Sequence, residues 1–331
     1  MKDQAKKSPS DDQNLARLLK LAGPRPAPSA DVRKEVYQAA HQAWQKKSRS
    51  TVLIRRLVPA AIAASIIGMA VVINWPATQA PVMAAPVAEL DRGSLQLEAG
   101  EGWRQLDGGG VIAAHGLLRT GSQQRAGIFL RNGISVRLDR QTRLRLESPL
   151  RLALIEGRVY IDTVDYIGPS LEVLTGNAVV RDIGTQFEVR VDGGGTLVRV
   201  RDGEILLDSL DEQFSAGRGE QIALQDNGVV TRALVSGHDA SWNWMHGIAP
   251  LFNTDGRLVS ELVAWVGRET GRRIEYADSL IRNTAASTYI RGSVSGRTPV
   301  ETLDLALETT RFKYYIDDEI LAIEKHAAVG D

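Results

Sequence analysis

Five histidines, His41, His115, His238, His246 and His326, are the first side chains to test for chemistry. No two stand four apart, so no turn of helix presents a metal-binding pair. The chain has no cysteine, which removes thiolate nucleophiles, zinc-thiolate and iron–sulfur sites, and disulfide scaffolds. No Gly-x-Ser-x-Gly elbow and no Walker loop occurs. Ala216-Gly217-Arg218-Gly219-Glu220 holds two glycines, but the strand-like Gln221-Ile222-Ala223-Leu224 follows it, so it reads as a turn and not as a phosphate cradle. Asp317-Asp318 reads as a hairpin tip. This inventory argues against a conventional hydrolase or transferase, and no cofactor or metal is expected.

The elements that would position any site fall into two patterns. Over 90–235, short period-two runs such as Ile134-Ser135-Val136-Arg137-Leu138-Asp139 and Phe187-Glu188-Val189-Arg190-Val191 predict an all-β domain, either solenoid-like or sandwich-like. Its turns are marked by Gly108-Gly109-Gly110, Asn132-Gly133, Asp192 to Gly195, Asp202-Gly203 and Asn227-Gly228. Its many arginines, interleaved with Asp and Glu, read as a solvated face with cross-strand ion pairs.

From 246 to 325 the pattern becomes a small α+β unit. Pro250 to Asn253 reads as a strand. Leu258, Leu262, Trp265, Val266 and Glu269 mark a helix closed by Gly271. Arg273 to Tyr276 and Tyr289 to Gly292 read as strands. Thr298-Pro299-Val300-Glu301 opens a second helix as a capping box, and a hairpin turns over Asp317-Asp318-Glu319.

Net charge is zero, with 40 basic and 40 acidic residues among 331. Residues 1–56 hold 13 of the Lys and Arg against 5 Asp and Glu, leaving 27 against 35 for the remainder. No charge occurs from Leu57 to Ala88. The apolar run 57–75 predicts a single transmembrane helix, about 28 Å at roughly 1.5 Å per residue. Residues 76–89 read as a Pro/Ala linker. The cation bias places 1–56 in the cytoplasm and the acidic body outside. Within the head, Leu15, Leu18, Leu19 and Ala22, and then Val32, Val36, Ala39, Ala40 and Ala43, form the stripes of two short helices. They suit either a solvated basic tail or a segment that folds on a cytoplasmic partner.

The stretch Ala178-Val179-Val180-Arg181-Asp182-Ile183-Gly184-Thr185-Gln186-Phe187-Glu188-Val189 resembles the Gly-Thr-x-Phe core of the FecR family of bacterial transmembrane signalling regulators. Leu118 to Ser122, Ile155 to Tyr160, Val198 to Ile205 and Ser215 to Glu220 resemble other strands of that family, in order. Gly292-Ser293 through Leu303 resembles the secretin/TonB short N-terminal domain. The resemblance implies a single-pass inner-membrane regulator with its C-terminal body in the periplasm. That body would meet the signalling domain of a TonB-dependent outer-membrane receptor, often for iron uptake. The head would bind an extracytoplasmic-function sigma factor as inhibitor or activator, with no direct contact to nucleic acid. Residues 1–56 lack the Trp-rich helical pattern usual in the family's head. A structural envelope protein that grips an assembly or the cell wall is the alternative.

Some relatives resemble self-cleaving proteins at this Gly-Thr. The implied site is Gly184 and Thr185, where the Thr hydroxyl attacks the preceding carbonyl in an N→O acyl shift and water splits the resulting ester. Asp182 lies near in sequence. The plainer reading has Gly184 as a bend and Thr185 and Phe187 as the start of a strand.

Overall fold

A computed structural model describes residues 85–325, apart from 210, 211 and 295. The head at 1–56, the apolar run at 57–75 and most of the linker lie outside the described residues. Fourteen strands, all in one sheet, form the first part. They are β1 (Pro86–Ala99), β2 (Gly102–Asp107), β3 (Val111–Ala113), β4 (Leu117–Arg119), β5 (Ala126–Leu130), β6 (Ser135–Leu138) and β7 (Arg143–Ser148), followed by β8 (Arg151–Asp162), β9 (Glu172–Leu174), β10 (Val179–Asp192), β11 (Gly195–Asp208), β12 (Gln213–Gly217), β13 (Glu220–Gln225) and β14 (Val230–Leu234).

Six of these strands close a ring. β8 pairs with β6, β6 with β5, β5 with β1, β1 with β4, β4 with β7, and β7 with β8 again. The expectation of a solenoid-like or sandwich-like stack is corrected by this closure. Period two assigns faces to residues, but it does not assign partners to strands. The strands that close the ring are long and change partners along their length. The first half of β8 lies between β7 and β9, and its second half between β6 and β10. Gly157 marks the change with φ +91°, and a Cβ there would lie 2.5 Å from the Thr142 Cα. Leu90, Leu118, Ile128, Val136, Leu144, Leu154, Val159 and Phe187 share the buried core.

The expected transmembrane helix is not among the described residues, where no helix is long and apolar enough to cross a membrane. The longest, α1 (Val259–Thr270), has 12 residues and carries Glu261, Arg268 and Glu269. A 3-10 segment, Ala240–Ile248, precedes it. Then come β15 (Arg273–Tyr276), α2 (Ser279–Ala285), α3 (Pro299–Glu308), β16 (Phe312–Ile316) and β17 (Ile320–Lys325). β17 sits between parallel β15 and antiparallel β16. Two expected strands are absent. Residues 250–253 are irregular, and Tyr289 makes only one isolated bridge, to Leu258. Helix α2 is additional, capped by the Asp278 side chain accepting from the Ile281 N–H at 2.7 Å.

The arginine-rich outer face of β6, β8, β10 and β11 is covered, not solvated. Trp242, Trp244, Met245 and Ile248 of the 3-10 segment pack on it. Arg137, 1% exposed, pairs with Glu269 of α1 at 2.8 Å. Arg201 donates to the Gly237 and Glu269 carbonyls at 2.7 and 3.0 Å. Glu188 accepts from Arg199 at 2.9 Å and from the Trp244 Nε1–H at 3.0 Å. The Arg199 guanidinium also lies 4.3 Å from the Trp242 ring.

His246 is packed into this seam. Burial, and then the charges of Arg201 and Arg137, push it down to about 4. Above pH ~6.5 the imidazole is neutral in folded and unfolded chains alike. As pH falls from about 6.5 to 4 only the unfolded chain gains the proton, so up to roughly 3 kcal/mol of stability is lost in that window. Urea melts of the chain at pH 7 and pH 4.5 are expected to show this loss, and His246→Gln to flatten it. An unchanged slope in the variant would refute the assignment.

Candidate functional site

β10 and β11 pair along nearly their full lengths, but the register shifts between Ile183 and Gln186. Ile183 faces Glu204 and Gln186 faces Asp202, so Gly184 and Thr185 together oppose Gly203. This is a β-bulge with a left-handed glycine in its first position, Gly184 at φ +67°. Two sequence expectations change here. Gly184-Thr185 lies inside a 14-residue strand and does not begin one, and Asp202-Gly203 is no hairpin turn but the middle of β11.

The bulge splits its two residues between environments. Gly184 is exposed, and a Cβ added to it would meet nothing within 4 Å. Thr185 is 0% exposed. Its hydroxyl donates to the Glu204 carbonyl oxygen at 2.5 Å and accepts the Ile183 N–H at 3.2 Å. Gly203, at φ +83°, admits the bulge by having no side chain. A Cβ there would lie 2.6 Å from the Gly184 carbonyl oxygen and 3.2 Å from Thr185 Oγ1.

Asp182 does not touch the Thr185 hydroxyl. Its Oδ2 accepts from the Gly184 N–H at 3.2 Å and from Thr163 Oγ1 at 2.6 Å, while Oδ1 accepts from the Leu171 N–H at 2.5 Å. Thr163 Oγ1 in turn accepts the Thr185 N–H at 2.8 Å. The peptide between Gly184 and Thr185 is therefore held on its nitrogen side by Thr163 and Asp182 and on its hydroxyl side by β11.

A second layer reaches the C-terminal unit. Asp162, beside Thr163, accepts from Gln186 at 2.8 Å and from Arg268 of α1 at 2.5 and 2.9 Å. Arg268 also pairs with Asp165. Burial alone would raise the Asp162 carboxyl, but hydrogen bonds and charge from Arg268 outweigh it and hold it below the usual range. Thr163, Gly203 and Arg268 are site residues that the sequence reading did not name. The Gly in Asp202-Gly203 was visible, but its role depends on a strand pairing that no local pattern states.

Residues 116–206, from the start of β4 through most of β11, match the family described as FecR protein. This chain carries a FecR domain. Five strands of the six-stranded ring and the whole Gly184-Thr185 bulge fall inside it. No curated protein matches the sequence. Two solved structures, both described as candidate anti-sigma factors from Parabacteroides distasonis, at 2.50 and 1.65 Å, are each 18% identical to it. Each alignment covers 64% of this chain and 99% of the other, with a TM-score of 0.35, too low to argue a shared fold.

Within the FecR domain the two glycines of the bulge separate by geometry. Gly203→Ala combines a left-handed backbone with a backbone clash, and a loss of roughly 2–4 kcal/mol is expected. Gly184→Ala meets open space, so only the left-handed penalty of about 1–2 kcal/mol applies. Urea denaturation followed by tryptophan fluorescence ranks the two, and equal losses would contradict the packing described.

Proposed function

We propose that the protein is a regulator of a sigma factor that senses events in the bacterial envelope. The observation that carries this reading is the FecR domain at 116–206. Supporting it are the basic, amphipathic character of residues 1–56 and the acidic balance of the rest. In this reading the head faces the cytoplasm and binds an extracytoplasmic-function sigma factor. The body lies on the periplasmic side of the inner membrane, and the C-terminal unit receives the signalling domain of a TonB-dependent receptor, with iron uptake as the signal. The protein recognises other proteins, not nucleic acid. Its one chemical act is on itself, at the Gly184-Thr185 bond.

The seam suggests how docking is felt at that bond. Arg268 grips Asp162 and Asp165 from α1, and Asp162, the last residue of β8, adjoins Thr163 and bonds Gln186, which directly follows the bulge in β10. A partner that displaces α1 changes the support of the Gly184-Thr185 peptide.

Residues 1–56 used as bait are expected to recover a sigma factor, and alkaline phosphatase fused after Ala88 is expected to be active while a fusion after Gln45 is not. Recovery of cell-wall or assembly proteins by the body, with none by the head, would favour a structural envelope role. For the bond itself, mass spectrometry of the mature chain should show pieces ending at Gly184 and beginning at Thr185. Thr185→Ser should still cleave, and Thr185→Val, which keeps the β-branch without the hydroxyl, should stay whole. Cleavage of the Val variant at this bond would reveal an outside protease.

A further inference from the structure

Resting on the self-cleavage reading, we infer that Thr163 and Asp182 are the site that receives the departing nitrogen, with Thr163 a catalytic residue and Asp182 its positioning partner. In the acyl shift a bond forms between Thr185 Oγ1 and the Gly184 carbonyl carbon, and the bond from that carbon to the Thr185 nitrogen breaks. The hydroxyl loses one proton and the nitrogen gains one, so the shift is proton-neutral. It leaves an ester and a free α-amine. Water then splits the ester, giving the Gly184 carboxylate and restoring the Thr185 hydroxyl.

The nitrogen is the leaving group, and charge develops on it as the bond breaks. Thr163 Oγ1 is 2.8 Å from that nitrogen. The Thr163 hydroxyl is turned by its own hydrogen bond to Asp182, 2.6 Å away, so its lone pairs face the nitrogen. The new amine, protonated at neutral pH, thus forms one hydroxyl away from a carboxyl group. The same carboxyl also holds the Gly184 N–H, on the other side of the breaking bond. Groups preorganised toward developing charge in a buried site favour the transition state over the ground state. A bulge needs its left-handed glycine, but it does not need a hydroxyl–carboxyl pair on the nitrogen of its second residue.

The test uses the full chain in membranes, with cleavage at 184/185 followed by mass spectrometry over time and the melting temperature of each variant recorded. Thr163→Val is expected to slow cleavage roughly tenfold to hundredfold, and Thr163→Ser to return it to within about threefold of the wild type. Asp182→Asn is expected to slow cleavage with little change in melting temperature, and Asp182→Glu to recover part of the rate. Hydroxylamine, which splits esters and spares amides, is expected to speed wild-type cleavage and not to restore Thr163→Val to the wild-type rate, because in that variant formation of the ester is itself the slowed step. A folded Thr163→Val chain that cleaves at the wild-type rate, or that hydroxylamine restores fully, overturns the assignment while leaving self-cleavage standing. A Thr163→Ser variant as slow as Thr163→Val, both with wild-type melting, overturns it as well. A wild-type chain that remains intact overturns the cleavage reading and this assignment with it.

Discussion

A buried ion pair between residues 132 positions apart, Arg137 and Glu269, sets the terms for the rest of the described structure. Neither side chain reaches water, so neither tolerates loss of the other, and breaking such a pair costs about 3–5 kcal/mol because one charge is left stranded. Everything around the pair is arranged to keep it covered. The 3-10 segment lays Trp242 and Trp244 over the arginines of β8 and β11, and α1 brings Glu269 down from the C-terminal side. Hydrophobic burial alone would allow α1 to slide along the sheet. The fixed geometry of guanidinium and carboxylate does not.

That register has a consequence at the bulge. Arg268 immediately precedes Glu269 on the same helix, and once Glu269 is pinned to β6, Arg268 is placed at the end of β8, against Asp162. Asp162 and Thr163 are consecutive, and their side chains take up different tasks, one bonding α1 and Gln186, the other the Thr185 nitrogen and Asp182. The Gly184-Thr185 peptide is thus connected to the C-terminal unit through two side-chain contacts and one peptide link. This is a short path of one ion pair and one neutral hydrogen bond, and its members are held in place by groups on both units.

Much of the fold is legible in the sequence where the signal is local. Asn132-Gly133, Asp192 to Gly195 and Asn227-Gly228 each join consecutive strands, because a tight hairpin asks for residues that accept positive φ. Thr298-Pro299-Val300-Glu301 opens α3 for an equally local reason, with Thr298 and Glu301 satisfying each other's backbone N–H groups. Asp202-Gly203 carries the same letters as a turn but serves a bulge, and only the partner strand distinguishes the two uses. Arg137, Arg199 and Arg201 alternate with apolar residues as a solvated face would. They are buried because Trp242 and α1 arrive from outside the strand pattern. Ring closure is illegible for the same reason, since it is a property of which edges meet. Of the site, Gly184, Thr185 and Asp182 are visible together in one stretch, whereas Thr163 and Gly203 join them only through pairing across some twenty residues.

The bulge can be explained as architecture alone up to a definite point. A left-handed residue at 184 and an absent side chain at 203 let β10 and β11 bend while keeping their pairing, and both glycines follow from that. Thr185 is harder to assign to architecture. A valine would have the same branch and fill the same buried volume without requiring two hydrogen bonds for a hydroxyl. Thr163 presents the same question, because its hydroxyl satisfies an N–H that ordinary ladder pairing would have satisfied with a carbonyl. Asp182 then needs three donors of its own in a buried position. Each polar group here creates the demand that the next one meets. Such a closed polar chain adds little to stability over an apolar filling. What it does add is a fixed position for the one backbone nitrogen at its end.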